Sequence, residues 1–180
     1  MTRFPRLRSS GFTMIEMVVV VAIIGILAVV AIPVFRGYLM RSKASEAYTV
    51  LQGIREKEEA YFVEFKRYTT NIAFTPGGSC AVGTGAVLWP DIANSPWIQL
   101  GFDPGGPTYH AYRVTTPYNA NGVDGGSVLA DGNGTDWPAV RRPWFMLEAC
   151  GDLNENGTPA HYYVSSHNKT VYKTPSNEEY

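Results

Sequence analysis

The chain has 180 residues, with 15 Lys or Arg against 16 Asp or Glu and a formal net charge of −1 at pH 7. That length suits one membrane segment plus one modest soluble domain, since domains commonly hold ~100–150 residues. The balanced charge, with no basic stripe, argues against a nucleic-acid binder. Two cysteines with no CxxC, no CxxCH and no Cys/His spacing suited to zinc argue against haem attachment and a zinc site.

Residues 1–11, MTRFPRLRSSG, carry three arginines and no acid. The run from Gly11 to Phe35, GFTMIEMVVVVAIIGILAVVAIPVF, has no charge between Glu16 and Arg36. As a helix rising ~1.5 Å per residue, Met17 to Phe35 is long enough to cross the ~30 Å hydrocarbon core of a bilayer. The basic leader favours the cytoplasmic side, but Arg36, Arg41 and Lys43 past the other end weaken the bias, so charge alone leaves orientation open. A charge set within an apolar span costs up to roughly 2.5–3.5 kcal/mol and usually marks a functional pairing, so Glu16, near one end of the run, calls for a partner. Gly25 and Pro33 are poor interior helix residues, and Pro33 removes the hydrogen bond to the Val29 carbonyl. A secretory signal peptide does not account for the run, which is too long and lacks a small-residue cleavage site at Arg36-Gly37-Tyr38. An ordinary single-pass anchor explains the hydrophobicity but leaves Glu16 and the Gly11–Phe12 junction unexplained.

The basic leader ending in Gly11, then Phe12, Thr13, Met14, Ile15 and Glu16, then an apolar run interrupted by Gly25 and Pro33, resembles the type IV pilins and the type II secretion pseudopilins. The resemblance covers about the first third of the chain. It implies cleavage between Gly11 and Phe12 by a prepilin peptidase, N-methylation of Phe12, and pairing of Glu16 with the freed amine of a neighbouring copy of the chain. A methylated amine keeps its charge, and a buried carboxylate without a partner is costly, which makes that pairing physically sensible. The resemblance also implies that the helix between Gly25 and Pro33 loosens on packing into a fibre; a simple kink with close helix packing at Gly25 is the alternative. It places the C-terminal part outside the cytoplasm. In that oxidising setting Cys80 and Cys150 are expected to pair, the alternative being two isolated buried thiols.

Past Arg36 the helical pattern becomes amphipathic. Ala44, Ala47, Tyr48, Leu51, Ile54, Tyr61, Phe62 and Phe65 recur at spacings of three and four and draw one apolar stripe. Arg41, Lys43, Glu46, Arg55, Glu56, Lys57, Glu59 and Glu64 are assigned to mostly solvated faces, with Arg55 and Glu59 spaced to pair. Glu58 falls on the stripe, with no partner visible in the sequence. Phe12 to about Phe65 reads as one helix of roughly 80 Å. From Thr69 onward Gly, Pro, Asn and Thr become frequent, and the chain reads as strands and turns. Short strands are expected near Val87–Trp89 and Ser127–Ala130. Trp97–Phe102 reads as a strand or a packed loop, and Tyr109–Thr115 and Trp144–Cys150 alternate as strands. His161–Ser165 and Lys169–Lys173 are expected to join through a hairpin turn at Ser166-His167-Asn168.

The expected architecture is α+β: a leader at 1–11, a membrane and assembly helix at 12–35, its amphipathic continuation at 36–66, and a globular β-rich head at 67–180 with a small antiparallel sheet on the helix. Asp152-Leu153-Asn154-Glu155-Asn156-Gly157 opens like a calcium loop, with Asp152, Asn154 and Asn156 as ligands, but Tyr163 stands where the closing glutamate belongs. A hydrogen-bonded turn is the favoured reading, and no cofactor is expected beyond that calcium alternative. Asp131, Asn133 and Asp136 form a weaker oxygen-rich loop. His110, His161 and His167 have no sequence neighbours suited to zinc or general-base roles, and no nucleotide or serine-hydrolase motif appears.

The expected function is therefore structural, not enzymatic: a type IV pilus subunit supporting adhesion or twitching motility. It would sit in inner-membrane lipid, engage the pilus assembly machinery, and then polymerise with copies of itself into an extracellular filament. The alternatives are a type II secretion pseudopilin in a short periplasmic fibre and a membrane-anchored binding module that does not polymerise.

Overall fold

The computed structural model describes residues 11–80, 85–116, 118–119, 122–123 and 143–174. Two compact units divide the chain between Leu39 and Met40. One helix, α1 (Met14–Phe65), runs from the first into the second.

In the first unit α1 begins with a reciprocal cap. The Thr13 hydroxyl accepts from the Glu16 N–H at 3.3 Å, while the Glu16 carboxylate accepts from the Thr13 N–H at 2.8 Å. This T-x-x-E box satisfies two backbone donors that the first turn leaves without helical partners. The helix continues through Pro33. A Cβ built on Gly25 meets no atom within 4 Å, so nothing inside the chain demands a glycine there. The valines, isoleucines and leucines from Val18 to Leu39 are largely exposed. Of the leader, only Gly11 lies among the described residues.

In the second unit α1 buries Ala44, Ala47, Leu51, Ile54 and Glu58, a strict three-and-four spacing that presents one face. The expected stripe is narrower than its sequence pattern, because Tyr48 is 41% and Phe65 50% exposed. That face packs on a five-stranded antiparallel sheet in the order β1 (Ile72–Thr75), β2 (Ala111–Thr115), β5 (Met146–Gly151), β6 (Ala160–Ser165) and β7 (Tyr172–Lys173). A separate two-stranded pair joins β3 (Tyr118–Asn119) to β4 (Gly122–Val123). The α+β class is as expected.

Strands β5, β6 and β7 form the expected C-terminal meander, and β2 and β1 extend it. Tyr112, Leu147, Ala149, Tyr162 and Val164 share a core with the helix stripe. The opposite face of β5 carries Met146, Glu148 and Cys150, which are buried as well.

Several sequence expectations need correction. Val87–Trp89 forms no strand, only an isolated bridge from Val87 to Thr108. Of the two readings of Trp97–Phe102 the strand is the one that fails: Trp97 is buried in a 3-10 turn, Pro96–Gln99, whose cap is Ser95, with the Ser95 Oγ accepting from the Trp97 N–H and Pro96 suiting the first helical position. The C-terminal hairpin is wider than expected. The Ser165 hydroxyl accepts from the Asn168 N–H and the Asn168 side chain from the Thr170 N–H, so strand pairing resumes only at Tyr172. Glu46, assigned to a solvated face, is half-buried, because the strand leading into β2 supplies donors to it. Ser127–Ala130, Asp131, Asn133 and Asp136 lie outside the described residues.

Candidate functional site

Gly11, Phe12 and Thr13 are non-helical, so the Gly11–Phe12 peptide bond lies in irregular backbone just ahead of α1. Phe12 is 77% exposed, and Met14 and Ile15 are exposed beside it. Glu16 sits one turn in, and its carboxylate turns back toward the chain's N-terminal side. Its Oε2 accepts from both the N–H and the hydroxyl of Thr13, at 2.8 and 2.6 Å. Within six residues the chain thus holds the non-helical Gly11–Phe12 peptide, an exposed aromatic and a carboxylate held by a capping box with Thr13. Thr13 is the member that the sequence reading passed over, although Thr three residues before Glu is a recognisable cap signature. Gly25 and Pro33 lie further along the same exposed helix.

The head resolves its buried charges internally. Glu46 accepts from the Tyr109 N–H at 3.0 Å and the Tyr112 hydroxyl at 2.9 Å, and faces His110 Nδ1 at 3.4 Å. Burial would raise its carboxyl, but these hydrogen bonds outweigh burial and hold it below the usual range. Glu58 is fully buried, and both of its oxygens accept from Thr69, one from the N–H and one from the hydroxyl. Here burial wins, and the carboxyl is pushed up to about 7. Glu148 accepts from Arg113, from the Tyr163 hydroxyl at 3.1 Å, and lies 2.7 Å from His161 Nδ1. Burial opposes its ionisation, yet His161 and Arg113 prevail and keep it low. These networks join residues far apart in the chain, which is why the histidines looked isolated in the sequence.

Cys80 and Cys150 form a disulfide, with Cα atoms 5.6 Å apart and a sequence separation of 70. In the chain-entropy account, closing so long a loop stabilises the fold by about 4 kcal/mol. The 152–157 loop is closed by its own side chains. Asp152 accepts from the N–H groups of Asn156 and Gly157, Asn154 from Asn156, and Asn156 from Thr158. Tyr163, in the position of a closing calcium-loop glutamate, is a buried β6 residue bonded to Glu148. This is the geometry of an Asx-rich turn.

Residues 6–32 match the family described as the prokaryotic N-terminal methylation motif. The chain is similar to the type IV major pilin protein PilA of Myxococcus xanthus, at 47% identity over 108 residues covering 51% of this chain and 49% of the relative. It is also similar to a fimbrial protein of Moraxella nonliquefaciens, at 49% identity over 45 residues covering 25% of this chain and 29% of the relative. A third similarity is to the type IV major pilin protein PilE1 of Neisseria gonorrhoeae, at 38% identity over 61 residues covering 34% and 37%. The chain spans half or less of the length of these relatives. The methylation motif on an exposed apolar helix, the buried stripe packed on a small antiparallel sheet, and the pilin relatives agree with one another: over about half of its length the chain is similar to type IV pilins.

Proposed function

We propose that this chain is the structural subunit of a type IV pilus filament, held in the inner membrane by its apolar helix until it assembles. A prepilin peptidase removes the leader after Gly11, and Phe12 becomes the N-methylated amino terminus. The helix then leaves lipid for a bundle of the same helices from other protomers. Lipid and bundle are similarly apolar, so packing and ion pairing must favour the bundle. Glu16 supplies the ionic part by accepting the amine of an adjacent protomer. The reading treats the chain as a building block without enzymatic activity, and the 152–157 loop as a turn without a cofactor. Adhesion or twitching motility would be carried by the assembled filament.

One observation carries the reading. The exposed apolar stretch from Phe12 to Phe35 holds a single carboxylate, Glu16, and within the described chain its hydrogen bonds go only to Thr13. The test is Glu16→Ala in cells, with surface fibres sheared off and intact mass measured on both fibre and membrane fractions. We expect membrane-fraction protein beginning at methylated Phe12 and near-complete loss of the fibre fraction. Normal fibre yield from Glu16→Ala would remove the ion-pair mechanism. Recovery of the wild-type chain only uncut and only in membranes would remove the filament reading in favour of a solitary anchored module.

A further inference from the structure

The connection from β5 to β6, residues 152–159, is the loop whose own side chains close it. At its tip stands the pair Asn156-Gly157, and Asn156, Gly157 and Thr158 are all exposed. In an asparagine followed by glycine, the next backbone nitrogen reaches the side-chain amide without a Cβ in its way. Gly157 has φ +83°, and a Cβ built there meets no atom within 4 Å, so the approach is open on the solvent side.

Two hydrogen bonds bear on that reaction, in opposite senses. Asn156 Oδ1 accepts from the Thr158 N–H at 2.7 Å. This bond closes an Asx turn that contains the Gly157 nitrogen, and so draws nitrogen and amide carbon into one small ring. It also pulls electron density from Asn156 Cγ, as a donor on a carbonyl oxygen does in acyl transfer. The second bond opposes attack. Gly157 N–H donates to Asp152 Oδ2 at 2.8 Å. The nitrogen must lose that proton before it can react, and a carboxylate hydrogen-bonded to it disfavours the anion that would form.

We propose that Asn156 is a self-modification site of the head, its amide activated by Thr158 and its attacking nitrogen guarded by Asp152. Hydroxide takes the Gly157 proton, the nitrogen forms a bond to Asn156 Cγ, and the side-chain nitrogen leaves as ammonia, giving a cyclic succinimide. Water then opens the ring at one of its two carbonyl carbons. Opening at Cγ gives aspartate; opening at the backbone carbonyl gives isoaspartate. In sum one water is consumed and one ammonia released, with no other reactant.

Either product places a new carboxylate in a loop already organised around Asp152, whose oxygens accept from the N–H groups of both Asn156 and Gly157. Like charges repel there, and isoaspartate also lengthens the backbone by one carbon, so the loop loses its bond set. A chain that persists at the cell surface thereby gains negative charge at this hairpin. The chemistry requires neither cleavage nor assembly, so it stands apart from the filament reading.

The test incubates the full chain in detergent micelles at neutral pH, beside a free peptide of residues 151–160. Samples are digested at intervals, and the fragment holding 152–159 is weighed separately from those with the Asn-Gly pairs at 121–122 and 133–134. We expect that fragment to gain the mass of amide-to-acid conversion, more slowly than the peptide, with isoaspartate detected by enzymatic methyl transfer. Asp152→Ala should speed conversion at least ~10-fold, as loss of one hydrogen bond to a charged acceptor implies. Asn154→Ala removes another bond of the same loop without freeing the Gly157 N–H, and should change the rate by no more than ~2-fold. Tryptophan fluorescence confirms that each variant is folded. Absence of conversion in both the wild type and Asp152→Ala, while the peptide converts, would overturn the site. An Asp152→Ala rate at or below that of the wild type, or an equal acceleration by Asn154→Ala, would overturn the guarding role of Asp152.

Discussion

The two stretches of α1 share a helix and invert the ordinary relation between hydrophobicity and burial. From Phe12 to Leu39, nearly every side chain is apolar and most are exposed. From Met40 to Phe65, charged residues are frequent, yet Ala44, Ala47, Leu51, Ile54 and Glu58 are sealed against the sheet. Burying one large aliphatic side chain is worth roughly 1.5–3 kcal/mol, so the first stretch carries a large stabilisation that its own chain does not collect. On the proposed function, lipid and then other protomers supply it. The carboxylates divide in the same way. Glu46 and Glu58 find donors in the head, whereas Glu16 has its capping partner Thr13 and is proposed to wait for an amine from another chain.

The largest expected effect tests this division directly. Leu51 is fully buried between helix and sheet, so Leu51→Ala should destabilise the head by about 3 kcal/mol, within the usual range for truncating a core leucine. Denaturant unfolding of the full chain in detergent, followed by tryptophan fluorescence, measures it. Ile24→Ala removes an exposed side chain of the first stretch, and should leave that unfolding curve within about 0.5 kcal/mol while lowering fibre yield. A comparable loss of head stability from both substitutions would break the comparison.

What was legible in the sequence follows the same line. The apolar run, the Gly11–Phe12 junction and Glu16 are features of contiguous residues, and composition displays them. The helix stripe and the alternation of β2 and β5 are periodic, and so were visible too. The strand β1, Ile-Ala-Phe-Thr, is too short for alternation to identify, and its place at the sheet edge is set by pairing with β2 across about 40 residues. The Glu46–Tyr112 contact spans 66 residues and Arg113–Glu148 spans 35, which no local pattern encodes. The Ser95 cap with Pro96 at the first helical position was present in the sequence, but the short apolar run from Trp97 left a strand and a packed loop both open.

The next effect lies in pH. Burial raises the Glu58 carboxyl from 4.5 to about 7, so the folded head holds a proton there that the unfolded chain releases earlier. Its contribution is fully present below about 4.5 and is lost as pH rises to about 7, a change on the order of 3 kcal/mol at ~1.36 kcal/mol per pKa unit. Glu46 and Glu148 are held low and act in the opposite sense, stabilising above the ordinary carboxylate range and failing as pH falls through their lowered values. The windows are therefore separate. Stability measured from pH 4.5 to 7 should fall in the wild type and stay nearly flat in Glu58→Gln. An unchanged slope in that variant would show that Glu58 is not the titrating group.

The smallest effect concerns the residue beside it. Glu59 sits one position round the helix and meets Arg55 at 3.9 Å, with 40% of its side chain exposed. At that distance, with Glu59 exposed, an i,i+4 pair contributes only about 0.3–0.5 kcal/mol. Glu59 also repels the Glu58 carboxylate and so helps to raise its pKa. Glu59→Gln thus removes a weak attraction and a weak repulsion together, and unfolding at pH 7 should change by no more than about 0.5 kcal/mol. Its clearer signature is a lower midpoint for the Glu58-dependent fall in stability. A midpoint that stays fixed or rises would mean that desolvation and the Thr69 hydrogen bonds, without the neighbouring charge, set the proton affinity of Glu58.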